Sequence, residues 1–117
     1  MKEQGNLADL PPPAVFRGWL MCAVADLELP AQVVSGATGG INAVGRFLSG
    51  GSKDLMLSRA NAVEAFMRAE AAKEGRILPP VALKDVRAYA DRVCSKLDER
   101  YPDWRKSFAD FAGCENA

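Results

Sequence analysis

Prolines and glycines cut this chain of 117 residues into short lengths, and that punctuation limits its possible folds more than any other feature. Proline fixes φ and lacks an amide hydrogen, while glycine loses the most freedom on ordering, so both belong at the ends of helices. Breaks fall at Pro11-Pro12-Pro13, Pro30, Gly39-Gly40, Gly50-Gly51, Gly75, Pro79-Pro80, Pro102 and Gly113. Between them, apolar residues recur at helical rather than strand spacing.

Pro13 opens a first helix in which Phe16, Leu20, Val24 and Leu27 form a stripe widened by Val15, Trp19 and Cys22. That face is broad enough for two neighbours, or for one neighbour and a second subunit. A short helix over 30–37 offers Val33, Val34 and Ala37 to the core, and Thr38-Gly39-Gly40 turns the chain. Ile41, Val44 and Leu48 mark a third helix, and Ser58 is the expected N-cap of a fourth. In the fourth, Ala62, Val63, Phe66 and Met67 are expected to face inward, Glu64 and Arg68 pair outward, and Gly75 supplies the stop. Leu83, Val86, Ala90, Val93 and Leu97 define a fifth helix, and Asp103 caps a sixth carrying Trp104, Phe108 and Phe111. No long window alternates strictly, so the spacing predicts an all-α fold of about six helices. Residues 1–12 read as a flexible arm and 13–117 as a single helical domain, divided into a unit over 13–74 and C-terminal helices over 79–113.

Fifteen basic and fifteen acidic residues balance, with 49% hydrophobic and 26% charged residues, a composition ordinary for a globular chain. Any basic surface is therefore local, and residues 13–60 carry four basic side chains against three acidic ones. The chain has no histidine, which excludes Ser-His-Asp and Cys-His catalysis and removes the commonest metal ligand. Cys22, Cys94 and Cys114 are odd in number and widely spaced, giving neither a disulfide framework nor a zinc motif. The glycine clusters lack the lysine and the preceding strand of a phosphate loop. The apolar run over 14–25 is interrupted by Arg17 and falls short of the roughly 20 residues that span a bilayer. No signal segment opens the chain. The expectation is a cytoplasmic protein with no membrane association that is not an enzyme, with no catalytic residues, no cofactor and no metal.

The order of a long helix, a short helix, a tight turn, a second short helix and another long helix is the layout of a helix-turn-helix unit. Val33, Ala37, Val44 and Phe47 are placed to fill its buried positions, with Gly39 and Gly40 in the turn. Asn42, Arg46 and Ser49 would then point outward, chemically suited to adenine, guanine or either, while Ser52 and Lys53 could hold phosphates. Residues 43–60, AVGRFLSGGSKDLMLSRA, resemble the recognition helix and following loop of the Cro/C1-type (XRE-like) helix-turn-helix phage repressors. The resemblance implies a dimeric transcription regulator that binds double-stranded DNA in a sequence-specific way.

A second reading is a helical module that binds and inhibits a protein partner, as an antagonist or adaptor of a transcription factor or effector complex. Its candidate anchors, serving either a partner or a dimer interface, are Trp19, Trp104, Phe108 and Phe111. Aromatic side chains carry much of the binding energy at such surfaces.

Overall fold

The computed structural model describes residues 13–37, 43–49 and 57–109. Among them all regular structure is helical: α1 (Pro13–Asp26), α2 (Ala31–Ala37), α3 (Ala43–Ser49), α4 (Leu57–Lys73), α5 (Leu83–Arg92), α6 (Cys94–Arg100) and α7 (Trp104–Ala109). The Cα radius of gyration is 13.6 Å, the size of one folded domain at this chain length.

α1 organises the molecule. Every residue from 15 to 27 is buried, including Arg17 and Asp26. A helix apolar on all sides belongs inside, and α1 packs against α3, α4, α5, α6 and α7. The wide stripe expected from the sequence thus closes round the whole helix, and each of its fully buried Leu and Val side chains contributes about 2 kcal/mol. No single helix among the described residues is long and apolar enough to cross a membrane. α1 and α2 have that length and composition only together, and the chain turns 111° between them.

α1 and α4 share one way of ending. At α1, the Leu29 amide donates to Val24 O at 2.9 Å and the Glu28 amide to Ala25 O at 3.2 Å. At α4, the Arg76 amide donates to Ala71 O and the Gly75 amide to Ala72 O, both at 2.9 Å. Each is a Schellman cap, which needs one residue in the left-handed region. Gly75 takes it at φ 70° and Glu28 at φ 57°. The glycine stop expected for α4 is therefore present, whereas the α1 cap uses a residue that carries a side chain.

Between α4 and α5 the chain has no regular structure, and its carbonyls are held from inside. Arg68 donates to Leu78 O at 3.1 Å and to Pro79 O at 3.2 Å, Trp19 Nε1 donates to Pro79 O at 2.9 Å, and the Arg68 guanidinium lies over the Trp19 ring. The C-terminal end of α1 is held more densely still. The Asp26 carboxylate accepts from Arg76 at 2.5 Å and Tyr89 Oη at 2.8 Å, and Lys96 donates to Asp26 O at 3.0 Å. Arg100 donates to Val24 O at 2.8 Å and to Leu29 O. Cations at a helix C-terminus also suit its macrodipole.

The structure differs from the sequence expectations at four places. The helix expected over Leu83 to Leu97 divides at Val93, whose ψ of 20° bends the chain while its amide still bonds Tyr89 O and its carbonyl accepts from the Leu97 amide. The bend keeps both α5 and α6 against α1. α2 buries Val34 and Ser35, leaving Val33 and Ala37 exposed. Ala62 is exposed, because Val63, Met67 and Ala71 form the buried edge of α4. Ser58 lies within the first turn of α4 rather than ahead of it.

Candidate functional site

α2 and α3 have seven residues each. Helices so short do not hold themselves together in water, because a nucleus costs more than two turns return. Tertiary contacts must hold them, and they pack on each other, with α2 also against α4 and α3 against α1. α3 buries Val44, Phe47 and Leu48, and the Phe47 ring meets Phe16 at 5.9 Å, which in turn stacks on Trp19 at 5.7 Å.

Two buried polar side chains hold α3 from either end. Ser35 Oγ, on α2, accepts the Val44 amide at 3.1 Å, satisfying a first-turn donor that has no partner within its own helix. Arg17 Nε, on α1, donates to Phe47 O at 2.9 Å near the last turn, and the guanidinium lies 5.0 Å from the Phe47 ring centroid. Ser35 is 3% exposed and Arg17 is 7% exposed. Buried hydrogen bonds of this kind fix orientation, since losing one partner strands the other without water.

On the outer side of α3, Arg46 is exposed and Gly45 half-exposed. Ser49 is the last residue of α3. Asn42, Ser52 and Lys53, also expected to contact DNA, lie outside the described residues, as do the Gly39-Gly40 turn and Phe111. Arg46 is thus the candidate contact whose side chain is placed.

The aromatic anchors require a correction. Trp19 is wholly buried and bonded to Pro79 O, so it is a core residue and not a contact for another molecule. Trp104 is 6% exposed; its Nε1 donates to Asp98 at 2.7 Å, Arg105 stacks on its ring at 4.2 Å, and the half-buried Phe108 meets it edge-on at 5.1 Å. The two indole rings are spent inside the fold, whereas Phe108 packs against it half-buried. Ser35 and Arg17, conversely, escaped the sequence reading. Arg17 carried a signal, since a lone cation in an apolar helix must find a partner when that helix is buried; Ser35 carried none.

Burial, and next the nearby Asp26 charge, push the Cys22 thiol up to about 12, so it stays protonated and unreactive. Among the described residues no group of three or more Cys, Asp or Glu side chains is placed to hold a metal ion. Compared with protein-family models, characterised proteins and solved structures, the chain gives no significant match.

Proposed function

We propose that this chain is a non-catalytic, DNA-binding regulator in which α2 supports α3 in the major groove and two copies act together. The observation that carries the reading is α3 itself, a seven-residue helix held at both ends by the buried Ser35 and Arg17 with Arg46 on its exposed side. The packing of α3 on α2 and α1, with α4 behind α2, is consistent with a helix-turn-helix unit. Arginine is the commonest reader of guanine, through O6 and N7. The protein partner reading loses support, because Trp19 and Trp104 are internal.

Balanced charge makes a clear demand of this proposal. Phosphate neutralisation supplies most non-specific affinity, so a neutral chain must bind through a local surface, and two copies double the basic groups available. A random duplex pool selected on the purified protein should yield a two-fold symmetric site, bound more weakly as salt rises. Arg46→Ala should weaken binding to that site by about 10-fold to 100-fold while its melting temperature stays that of the wild type. Absence of any retarded complex at low salt, or an Arg46→Ala variant that binds as well as the parent, would refute the assignment.

A further inference from the structure

α2 leaves α1 through a short link that is gripped from α6. Between the two helices the chain turns 111°. Pro30 biases Leu29 toward extended backbone, and Pro30 O accepts the Val33 and Val34 amides at 3.1 and 3.4 Å, so the link runs directly into the first turn of α2. Lys96 and Arg100 stand one helical turn apart on α6 and hold the link from either side. Lys96 Nζ donates to Asp26 O at 3.0 Å, at the end of α1. Arg100 donates through Nη1 to Val24 O at 2.8 Å and through Nη2 to Leu29 O. One planar fork thus ties the last turn of α1 to the residue before Pro30 at a fixed separation.

We infer that Arg100 is a positioning residue for the α2 and α3 pair: by joining Val24 O to Leu29 O it sets the inclination at which α2 leaves α1, and with it the direction in which α3 presents Arg46. A helix of seven residues does not set its own direction. Only Val34 and Ser35 of α2 are buried, a narrow footing on which a short helix can tilt. The tilt is transmitted to α3, because Ser35 Oγ accepts the Val44 amide at its start. Near its other end α3 is held by Arg17 of α1, independently of α2, so a changed inclination skews α3 and does not carry it along whole. The consequence for DNA rests on the function proposed above. Readout of bases tolerates an error of about 10–20°, whereas attraction to phosphates is far less exacting, so sequence preference is what a skewed α3 loses.

Arg100→Met keeps a long side chain and removes both donors. In the full chain, residual dipolar couplings of the α2 amides should no longer fit a 111° turn from α1, while those of α4 and α5 keep the wild-type orientation. Affinity for the two-fold site selected with the wild type should fall about tenfold, with affinity for random duplex nearly unchanged. Gly75→Ala, a destabilised variant that leaves Leu29 O untouched, should keep both the turn and the preference. Should Arg100→Met fail to fold, Arg100→Lys takes its place, since a single ammonium does not span two carbonyls as the fork does. Couplings that still fit the 111° turn overturn the inference. So does a changed turn with an unchanged preference for the selected site, or a loss of preference that Gly75→Ala shares. A changed turn in a protein that retards no DNA supports the positioning role and counts against the DNA reading alone.

Discussion

The C-terminal ends of α1 and α4 carry the same pair of backbone bonds, yet one places a glutamate where the other places a glycine. A left-handed conformation costs a residue with a Cβ about 1–2 kcal/mol, and glycine almost nothing. Past Gly75 the ties fall beyond the cap residue itself, from Arg76 to Asp26 and from Arg68 and Trp19 to the Leu78 and Pro79 carbonyls. Around Glu28 the chain is held by Lys96 on Asp26 O, by Arg100 on Val24 O and Leu29 O, and by a pair between Lys96 and Glu28 at 3.3 Å. Strain persists where surrounding bonds determine the backbone more than once. The α1 end is determined by α6, whereas the α4 end depends on its own residue.

The largest expected effect comes from breaking the determined end. Asp26 joins α1 to Arg76 after α4, to Tyr89 on α5 and to Lys96 on α6. Asp26→Ala should cost about 2 kcal/mol, less than a fully buried pair because Arg76 and Lys96 are partly exposed to screening. The urea midpoint measures this. Burial pushes the Asp26 carboxyl up, but hydrogen bonds from Arg76 and Tyr89, with the charges of Arg76 and Lys96, outweigh burial and hold it below the ordinary carboxylate value. Its contribution is therefore complete above the unfolded value of about 4 and fades as pH falls through the lowered folded value. Wild-type stability should fall below about pH 4 more steeply than that of Asp26→Ala; parallel acid profiles would deny Asp26 this role.

Next in size is Gly75→Ala. A Cβ there would meet no atom within 4 Å, so the cost is purely conformational. It should reach about 1 kcal/mol, read as a lower urea midpoint with an unchanged slope. A neutral result would mean that the α4 end relaxes out of the left-handed conformation and is not held there by its surroundings.

The glycine cap is legible in the sequence and the glutamate one is not, for a physical reason. Gly75 announces itself because glycine is common at such stops, whereas Glu28 takes its conformation from residues about 70 positions away, Lys96 and Arg100. The same division runs through the molecule. Helical periodicity revealed α1, α4 and the all-α class, but the apolar face from Val86 through Tyr89, Ala90, Val93 and Leu97 continues across the bend, so its spacing does not betray the break. On α2 the choice between Val33 and Ser35 as the buried neighbour of Val34 is invisible to hydrophobicity, because it turns on a hydroxyl accepting the Val44 amide. At the candidate site, the outward placement of Arg46 was legible from the inward spacing of Val44, Phe47 and Leu48. The supports of α3 were not, since Arg17 and Ser35 act across 30 and 9 residues of chain.

The smallest expected effect separates the two influences on Glu28. Its side chain is 75% exposed, so the pair with Lys96 is worth only a few tenths of a kcal/mol. Glu28→Ala keeps the Cβ and loses the pair, and should therefore destabilise by no more than that. Glu28→Gly loses the same pair but releases the left-handed strain, partly offset by the greater freedom of glycine in the unfolded chain. The glycine variant should end about 0.5 kcal/mol more stable than the alanine variant, and Lys96→Ala should lower both variants through its lost bonds to Asp26, but by a few tenths of a kcal/mol less than it lowers the wild type in a double-mutant cycle. Equal midpoints for the glycine and alanine variants would show that α6 imposes a backbone here that no longer costs a side-chain residue anything, and the contrast with Gly75 would then lie in the unfolded chain and not in the caps.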